Sequence, residues 1–350
     1  MIGLEVNMPK LCVMPGDGIG QEVIPAAAAV LQAVFPDLAI VEAEAGWACF
    51  QKQGVSVPDS TLAAIRECGA GLFGAVSSPS YQVEGYRSAI LTLRQELNLY
   101  ANIRPVQSWP TVSPRPNIDM IIVRENSEGL YSGRERIASS IPKSEIRNQE
   151  LEITAVAERI ITRSASRRIA VKTLALMHSQ KRHKLTIVHK ANVLPLTDGL
   201  FRDSVREVFS AEVQKGAEGI EIDELLVDVA ALKMVGEPER FDTLVTTNLF
   251  GDILSDAASY WGGGLGLAPS LNWGDNIAVA EPVHGSAPDI AGQGIANPIA
   301  AILSGAMLAR YVWGLGKEAS RVETAVYNTL AAGLPSTTQG ILQSILNHLH

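Results

Sequence analysis

KLCVMPGDGIGQEVIPAAAAVLQAV, residues 10–34, is the stretch from which the fold is read. Residues 10–14 form an apolar run of strand length, PGDGIG breaks it with a proline and three glycines, and QEVIPAAAAVLQAV continues with a helical pattern. Strand, turn, helix is the unit. Outward from it, apolar runs at 39–43, 70–74, 118–123, 185–189 and 243–247 read as further strands, and helical patterns follow most of them. This alternation is the α/β signature. Gly16, Gly18 and Gly20 open the first helix as a dinucleotide fingerprint would, but G-x-G-x-x-G requires the third glycine one residue later. The turn therefore reads as a means of packing strand closely on helix, and an ordinary Rossmann fold is set aside.

The 350 residues are enough for two domains with a sizeable core, and 47% hydrophobic against 19% charged residues excludes intrinsic disorder. With 29 basic and 37 acidic side chains the net charge is −8, so nucleic acid and anionic membranes are not the expected partners. Small molecules are. Cys12, Cys49 and Cys68 are odd in number and lack C-x-x-C spacing, which argues against structural zinc and fits a reducing compartment. The start carries no signal-peptide pattern, and no apolar run reaches the ~18 residues of a membrane span. A cytoplasmic protein is expected. There is no internal repeat, and the weakly patterned stretch 132–150 is expected to project as a loop or arm.

Three arginines stand near strand-like segments: Arg94 in GYRSAILTLR, Arg104 after NLYANI, and Arg124 at the end of DMIIV. Strand ends are where α/β folds hold ligands, and a guanidinium grips a carboxylate with two parallel bonds. A substrate with more than one carboxylate is implied, against the alternative of structural ion pairs. Asp252 and Asp256, at i and i+4 in TTNLFGDILSD, share a helix face on which like charges repel unless a cation lies between them. With no nearby His or Cys, the expected ion is hard, Mg²⁺ or Mn²⁺. Ile253 and Leu254 and the preceding apolar strand argue against both carboxylates being exposed. Lys190 lies just beyond an apolar strand, either reaching solvent or acting as a base with its pKa lowered by burial. Tyr131, seven residues after Arg124, is a core tyrosine or a proton donor. In EPVHGSAPDIAGQGIANP the glycine-rich 292–297 segment offers backbone amides to adenosine and phosphate, while Asp289 suits ribose hydroxyls and repels a 2′-phosphate.

Taken together, GDGIGQEV, LRQELNLYANIRP, VRENSEGLY, HKANVL, TTNLFGDILSD and HGSAPDIAGQGIANP resemble the decarboxylating β-hydroxyacid dehydrogenases over residues 10–312, in the right order. That family comprises isocitrate, 3-isopropylmalate, homoisocitrate and tartrate dehydrogenases. The resemblance implies an isopropylmalate dehydrogenase-like two-domain α/β fold, not Rossmann, with the active cleft between the domains. Residues 1–102 and 262–350 would form the first domain, and residues 103–261 a dimerisation domain bearing the arm. It also implies that Arg94, Arg104 and Arg124 hold the malate part of the substrate, Tyr131 is the general acid and Lys190 the proton-relay lysine. Asp228, in LLVDVAAL, would join Asp252 and Asp256 around the metal and take part in catalysis. Lys190 and Asp228 would come from a neighbouring subunit, so that a homodimer or a dimer of dimers shares its active sites. His284, Gly285, Ser286, Ala287, Asp289, Ile290 and Asn297 match the adenosine-binding loop, in which NADP-dependent relatives carry Lys-Tyr at the positions of Asp289 and Ile290. NAD is therefore the expected cofactor.

The expected substrate is a di- or tricarboxylate, its identity decided near residues 86–91, where one helix is expected to present Arg87, Ser88 and Leu91 beside Arg94. YRSAILTLR is similar to the Y-S-S-P-I-V-A-L-R of fungal homoisocitrate enzymes, and EAEAGWACFQKQGVSVP is similar to homoisocitrate enzymes as well. Isocitrate enzymes resemble S-x-N here, and isopropylmalate enzymes carry an acidic residue before G-L-L. Homoisocitrate leads, followed by isocitrate, 3-isopropylmalate and tartrate-like acids. The rival from another class, a non-catalytic regulatory subunit, need not retain Tyr131, Lys190, Asp228, Asp252 and Asp256, all of which are present. AAGLPSTTQGILQSIL replaces the family's R-T-x-D-L-G-G segment and is expected to lie away from the chemistry.

Overall fold

A computed structural model describes residues 9–79, 81, 83–138, 154–214 and 219–349. In chain order the first elements are β1 (Lys10–Gly16), α1 (Gly20–Val34), β2 (Ala39–Glu42), α2 (Trp47–Gln53), α3 (Asp59–Cys68), β3 (Ala70–Ala75), α4 (Ala89–Glu96), β4 (Ala101–Gln107) and β5 (Asp119–Glu125). The middle of the chain holds β6 (Glu135–Ala138), β7 (Thr154–Ala157), α5 (Arg163–Gln180), β8 (Lys184–His189), α6 (Thr197–Gln214), β9 (Glu221–Leu226), α7 (Val227–Gly236), β10 (Thr243–Thr246) and α8 (Asn248–Ser259). The last are β11 (Pro269–Trp273), β12 (Ala278–Pro282), α9 (Ile299–Met307), α10 (Gly316–Ala332) and α11 (Thr338–His348).

Ten strands form one mixed sheet in the order β2-β1-β3-β12-β11-β4-β5-β10-β8-β9. The runs β2-β1-β3-β12 and β5-β10-β8-β9 are each parallel; β11 is antiparallel to β12 and β4, and β4 is antiparallel to β5. Parallel strands covered on both faces need continuous apolar runs rather than alternation, which is why LCVM and IIV read so clearly. One apolar core joins Leu11, Val23 and Leu31 to Ile187, Val205 and Phe209, so the sheet is packed through its length. The boundary expected at 102/103 falls inside β4, which runs unbroken in the sheet.

The glycine turn is a packing device. Gly16 (φ +73°) and Gly18 (φ +54°) adopt left-handed backbone, and a Cβ would stand 2.0 Å from the Ala75 carbonyl oxygen at the first and 2.1 Å from that of Ser286 at the second. Strand β9, with EIDELL at the sheet edge, and the pair β11–β12 carry no strand signal that the sequence announces. The expected arm begins as the antiparallel pair β6–β7; residues 139–153 lie outside the described residues. Among the described residues no helix is long and apolar enough to cross a membrane.

The sheet brings several chain segments to one end. Thr246 of β10 stands opposite both Arg124 of β5 and Val188 of β8, and His189 stands opposite Leu226 of β9. Antiparallel β4 starts there, with Ala101 opposite Glu125. Carboxyl ends of parallel strands are where such sheets leave a crevice.

Candidate active site

Helix α8 leaves β10 at this end and packs against β5. Its residues 248, 251, 252, 255 and 256 recur at helical spacing and form one polar stripe. Asn248 Oδ1 accepts from Arg124 Nε (3.0 Å) and Nη2 (2.7 Å), and Arg124 Nη1 donates to Asp252. Gly251 permits this approach: a Cβ there would lie 2.6 Å from Arg124 Cβ and Cγ. Tyr131, in a 3₁₀ turn after β5, donates its hydroxyl to the other oxygen of Asp252, and the Arg124 guanidinium lies 4.9 Å over its ring. Arg124 is 1% exposed, and burial pulls its pKa down to about 10, with Arg94 adding to the effect and Asp252 opposing it. Burial also raises the Asp252 carboxyl, but Arg124, the Tyr131 bond and Arg104 outweigh it and hold the group below its ordinary value. Burial and the bond to Asp252 push the Tyr131 phenol up, keeping a proton on its oxygen at neutral pH.

Arg104 is an interior residue of β4, opposite Ile122, and not at a strand end as expected. It reaches α8 nonetheless, donating from Nη1 to Ser255 Oγ (2.6 Å) and Asp256 Oδ1 (2.7 Å), with Nη2 3.6 Å from Asp252. Buried asparagines the sequence did not flag hold it. Asn102 Oδ1 accepts from Arg104 Nε (2.8 Å), and Asn102 donates to Asn272 Oδ1 (3.0 Å). The same Asn272 oxygen accepts from Arg94 Nε (2.9 Å), while Arg94 Nη2 pairs with Glu281 (3.1 Å). Arg94 is thus partly committed to an internal network. The 86–91 segment also departs from expectation: α4 begins at Ala89, so Ser88 is its N-cap and Arg87 precedes the helix. Leu91 is half-buried, whereas Arg87 is exposed and makes no hydrogen bond or ion pair among the described residues.

The two aspartates of α8 share a face as the spacing requires, but Ile253 is exposed and the side chains of Asp252 and Asp256 retain 31% and 55% of their accessibility. Leu254 alone faces the core, so the apolar neighbours do not bury the pair. Among the described residues, the cations paired with the two carboxylates are Arg104 and Arg124. Lys190 and Asp228, at the ends of β8 and β9, form a second cluster, with Nζ 2.5 Å from Asp228 Oδ1; this bond holds the Asp228 carboxyl below its ordinary value. No three His, Cys, Asp or Glu side chains converge as metal ligands among the described residues. Two half-exposed carboxylates one helical turn apart nevertheless fit a hard divalent ion, which takes a few carboxylates and completes its shell with water and substrate oxygens.

The 284–298 loop is fastened to the glycine turn. Ile19 N–H donates to the Ser286 carbonyl (2.9 Å), Ser77 Oγ to Ser286 Oγ (2.9 Å), and Gly292 N–H to Glu22 Oε1 (2.7 Å). Ala287 holds φ +38°, Ile290 is half-buried, and Asn297 accepts from the Ile299 N–H (3.0 Å). Among the described residues His284 Nε2 is buried without a partner, Asp289 is exposed, and would-be Cβ atoms at Gly285, Gly292 and Gly294 meet open space. An orphaned ring nitrogen beside open backbone and a free carboxylate suits an adenosine group. The C-terminal segment is not remote: Thr338 N–H donates to Gly294 O (2.8 Å) and its hydroxyl to Ala296 O (2.6 Å), so α11 buttresses this loop.

A family model described as isocitrate/isopropylmalate dehydrogenase matches residues 10–345. The chain is 51% identical over 324 residues, 93% of its length and 91% of the relative's, to the isocitrate/homoisocitrate dehydrogenase of Thermus thermophilus. It is 45% identical over 95% of its length to the 3-isopropylmalate dehydrogenase of Methanothermobacter thermautotrophicus, covering 93% of that protein. The crystal structure of isocitrate dehydrogenase from Methylococcus capsulatus superposes with a TM-score of 0.87 at 39% identity, over 98% of this chain and 99% of that one. These matches span nearly the whole sheet and both carboxylate clusters, and the chain belongs to the isocitrate/isopropylmalate dehydrogenase family, which makes it an oxidoreductase.

Proposed function

We propose that this enzyme oxidises and decarboxylates a 2-hydroxy acid bearing a 3-carboxylate, using NAD and Mg²⁺ or Mn²⁺, and that homoisocitrate, converted to 2-oxoadipate, is its preferred substrate. The observation that carries the reading is the single bonded unit of Arg124, Tyr131 and Asp252, with Arg104 and Asp256 alongside. Arg94, Arg104 and Arg124 orient the substrate carboxylates, Lys190 takes the hydroxyl proton at Nζ, and Tyr131 gives its phenolic proton to the carbon from which CO₂ has left. When bound, the metal held by Asp252, Asp256 and Asp228 supplies positive charge next to the hydroxyl and adjacent carboxylate, and NAD, on the 284–297 loop, supplies the hydride acceptor.

Lys190 and Asp228 pair with each other rather than with Asp252, which supports their serving the site of a second copy. Exposed apolar residues beside both clusters, Val193, Leu196, Leu232, Val235 and Ile253, support a homodimer, or a dimer of dimers, on this face. The free thiols of Cys12, Cys49 and Cys68 support a cytoplasmic setting. The choice of homoisocitrate rests on Arg87, unpaired among the described residues, and on Ser88 at the start of α4, a polar corner suited to a distal carboxylate. NADH formation should be assayed with homoisocitrate, isocitrate, 3-isopropylmalate and tartrate, each with Mg²⁺ and Mn²⁺. Homoisocitrate is expected to give the highest kcat/KM, and Arg87→Leu to lower its ratio to 3-isopropylmalate by about one to two decades, the worth of a charge-assisted bond. Wild-type preference for 3-isopropylmalate, or an unchanged ratio in the variant, overturns this reading of the pocket.

A further inference from the structure

Arg159 lies between the two carboxylate clusters and touches neither. Its Nη2 donates to Asp198 Oδ1 and to Thr247 Oγ1 (2.9 Å), and its guanidinium lies 4.6 Å over the ring of Phe250 on α8. Asp198 is fully buried, and its second oxygen accepts the backbone N–H of Lys190 at 2.7 Å. Thr247 is the N-cap of α8, yet its hydroxyl makes no capping bond and is turned to Arg159 instead, although a threonine in this position ordinarily accepts from the first helical turn. The neighbouring Ile160 carbonyl accepts the Gly129 N–H (2.8 Å), two residues before Tyr131.

We infer that Asp198, Arg159 and Thr247 are positioning residues, a strut with buried ends that sets Lys190 relative to the start of α8 and so to Arg124, Asp252 and Tyr131. This rests on the reading of Lys190 as the proton-accepting lysine. If Lys190 serves the partner's site while Asp252 serves its own, the strut ties together the two half-sites that one chain contributes to different active sites. Asp198 and Thr247 are buried and Arg159 is mostly so, and a change at the Thr247 end reaches the Lys190 backbone through three successive hydrogen bonds.

The test uses the full chain with its best substrate from the panel, at a temperature where circular dichroism shows each variant folded. Asp198→Asn leaves one oxygen to serve two donors, and Thr247→Val removes one acceptor with little change of shape. Asp198→Asn is expected to lower kcat by about 10- to 100-fold and Thr247→Val by about fivefold, with substrate and NAD KM within about twofold, as for slight misplacement of a reacting group. Thr247→Ser should restore turnover, and the double variant should be no slower than Asp198→Asn alone, since both act through Arg159. Without substrate or cofactor, Thr247→Val should also speed amide hydrogen exchange in the peptide containing Lys190, to which the Thr247 hydroxyl, bonded to Arg159, makes no hydrogen bond among the described residues. A wild-type kcat in Asp198→Asn and Thr247→Val, a Ser variant as slow as Val, or unchanged exchange around Lys190 overturns the strut. Should Asp198→Asn not fold, the Thr247 pair and the exchange measurement decide alone. Lys190→Ala, run in parallel, separates the two ideas: slow Lys190→Ala with normal strut variants overturns the strut only, and wild-type turnover in Lys190→Ala overturns the role of Lys190 and the strut with it.

Discussion

Arg124 sits in the sheet with nearly all of its guanidinium bonded, and the groups that hold it, Asn248 and Asp252, come from a single helix. A buried cation is tolerated only when paired and hydrogen-bonded, so these partners are a condition of the residue being there at all. Asp289 is the opposite case, an exposed carboxylate on an open loop, with only its backbone carbonyl engaged among the described residues. A negative charge in that place repels a 2′-phosphate by about 1–4 kcal/mol at close range in a solvated setting. NAD is expected to exceed NADP in kcat/KM by at least about tenfold, and Asp289→Lys to narrow the gap, each 1.4 kcal/mol being a decade. Steady-state kinetics with the two cofactors checks this; equal efficiency in the wild type would contradict it.

Helix α8 organises the site because its polar stripe meets two arginines from neighbouring antiparallel strands. At Gly251 the helix lies directly against the Arg124 side chain of β5, and there the absence of a Cβ matters more than backbone freedom. Gly251→Ala must displace Arg124 or tilt the helix. The expected result is a loss of about 1–3 kcal/mol of stability, as for other overpacked sites, together with a fall in kcat/KM. Urea unfolding and kinetics on the same variant measure both; wild-type values for both would mean that α8 moves freely against β5. The stripe itself was half legible: Asp252 and Asp256 stand out as a charged pair, whereas Asn248 and Ser255, on the same helical face, look like ordinary polar surface until Arg124 and Arg104 arrive from strands more than a hundred residues earlier. Arg104 shows why. Its strand was visible, but only antiparallel pairing of β4 with β5 decides that an interior position reaches the helix.

For the whole molecule, separation of the Lys190–Asp228 cluster from the Asp252–Asp256 pair leads to a complementation test. An inactive Tyr131→Phe chain mixed with an inactive Lys190→Ala chain is expected to regain activity, because a mixed dimer contains one site with both groups. Demonstrated heterodimers without activity would show that each chain works alone. Stability should also depend on acidity. His189 is buried next to Lys190, its Nδ1 accepts the Ala191 N–H (3.0 Å), and burial lowers its pKa despite Glu224 nearby. His284 is lowered by burial as well. In the unfolded chain these imidazoles take up protons as pH falls past about 6.5, while the folded chain resists, so stability drops below that pH until the folded pKa values are reached. His189→Gln is expected to flatten the fall in urea midpoint between about pH 7.5 and 5.5. An identical slope in the variant would remove His189 from the account.

What the sequence determined by itself was local: apolar runs and breakers set β1, α1, β3, β5, β8 and β10, because those signals depend on neighbours a few positions apart. The failed glycine spacing set aside an ordinary dinucleotide fold for the same reason, and the i, i+4 spacing of Asp252 and Asp256 marked a carboxylate pair on one helix face. Only the tertiary structure decided the rest. Sheet order brings residues 102, 126 and 272 into one buried network, Thr338 against the 284–298 loop, and Arg159 between Asp198 and Thr247. None of these partners is near the others in the chain, and each is a common polar residue. Their roles come from burial, which obliges every polar group to find a partner, and that obligation exists only once the strands have paired.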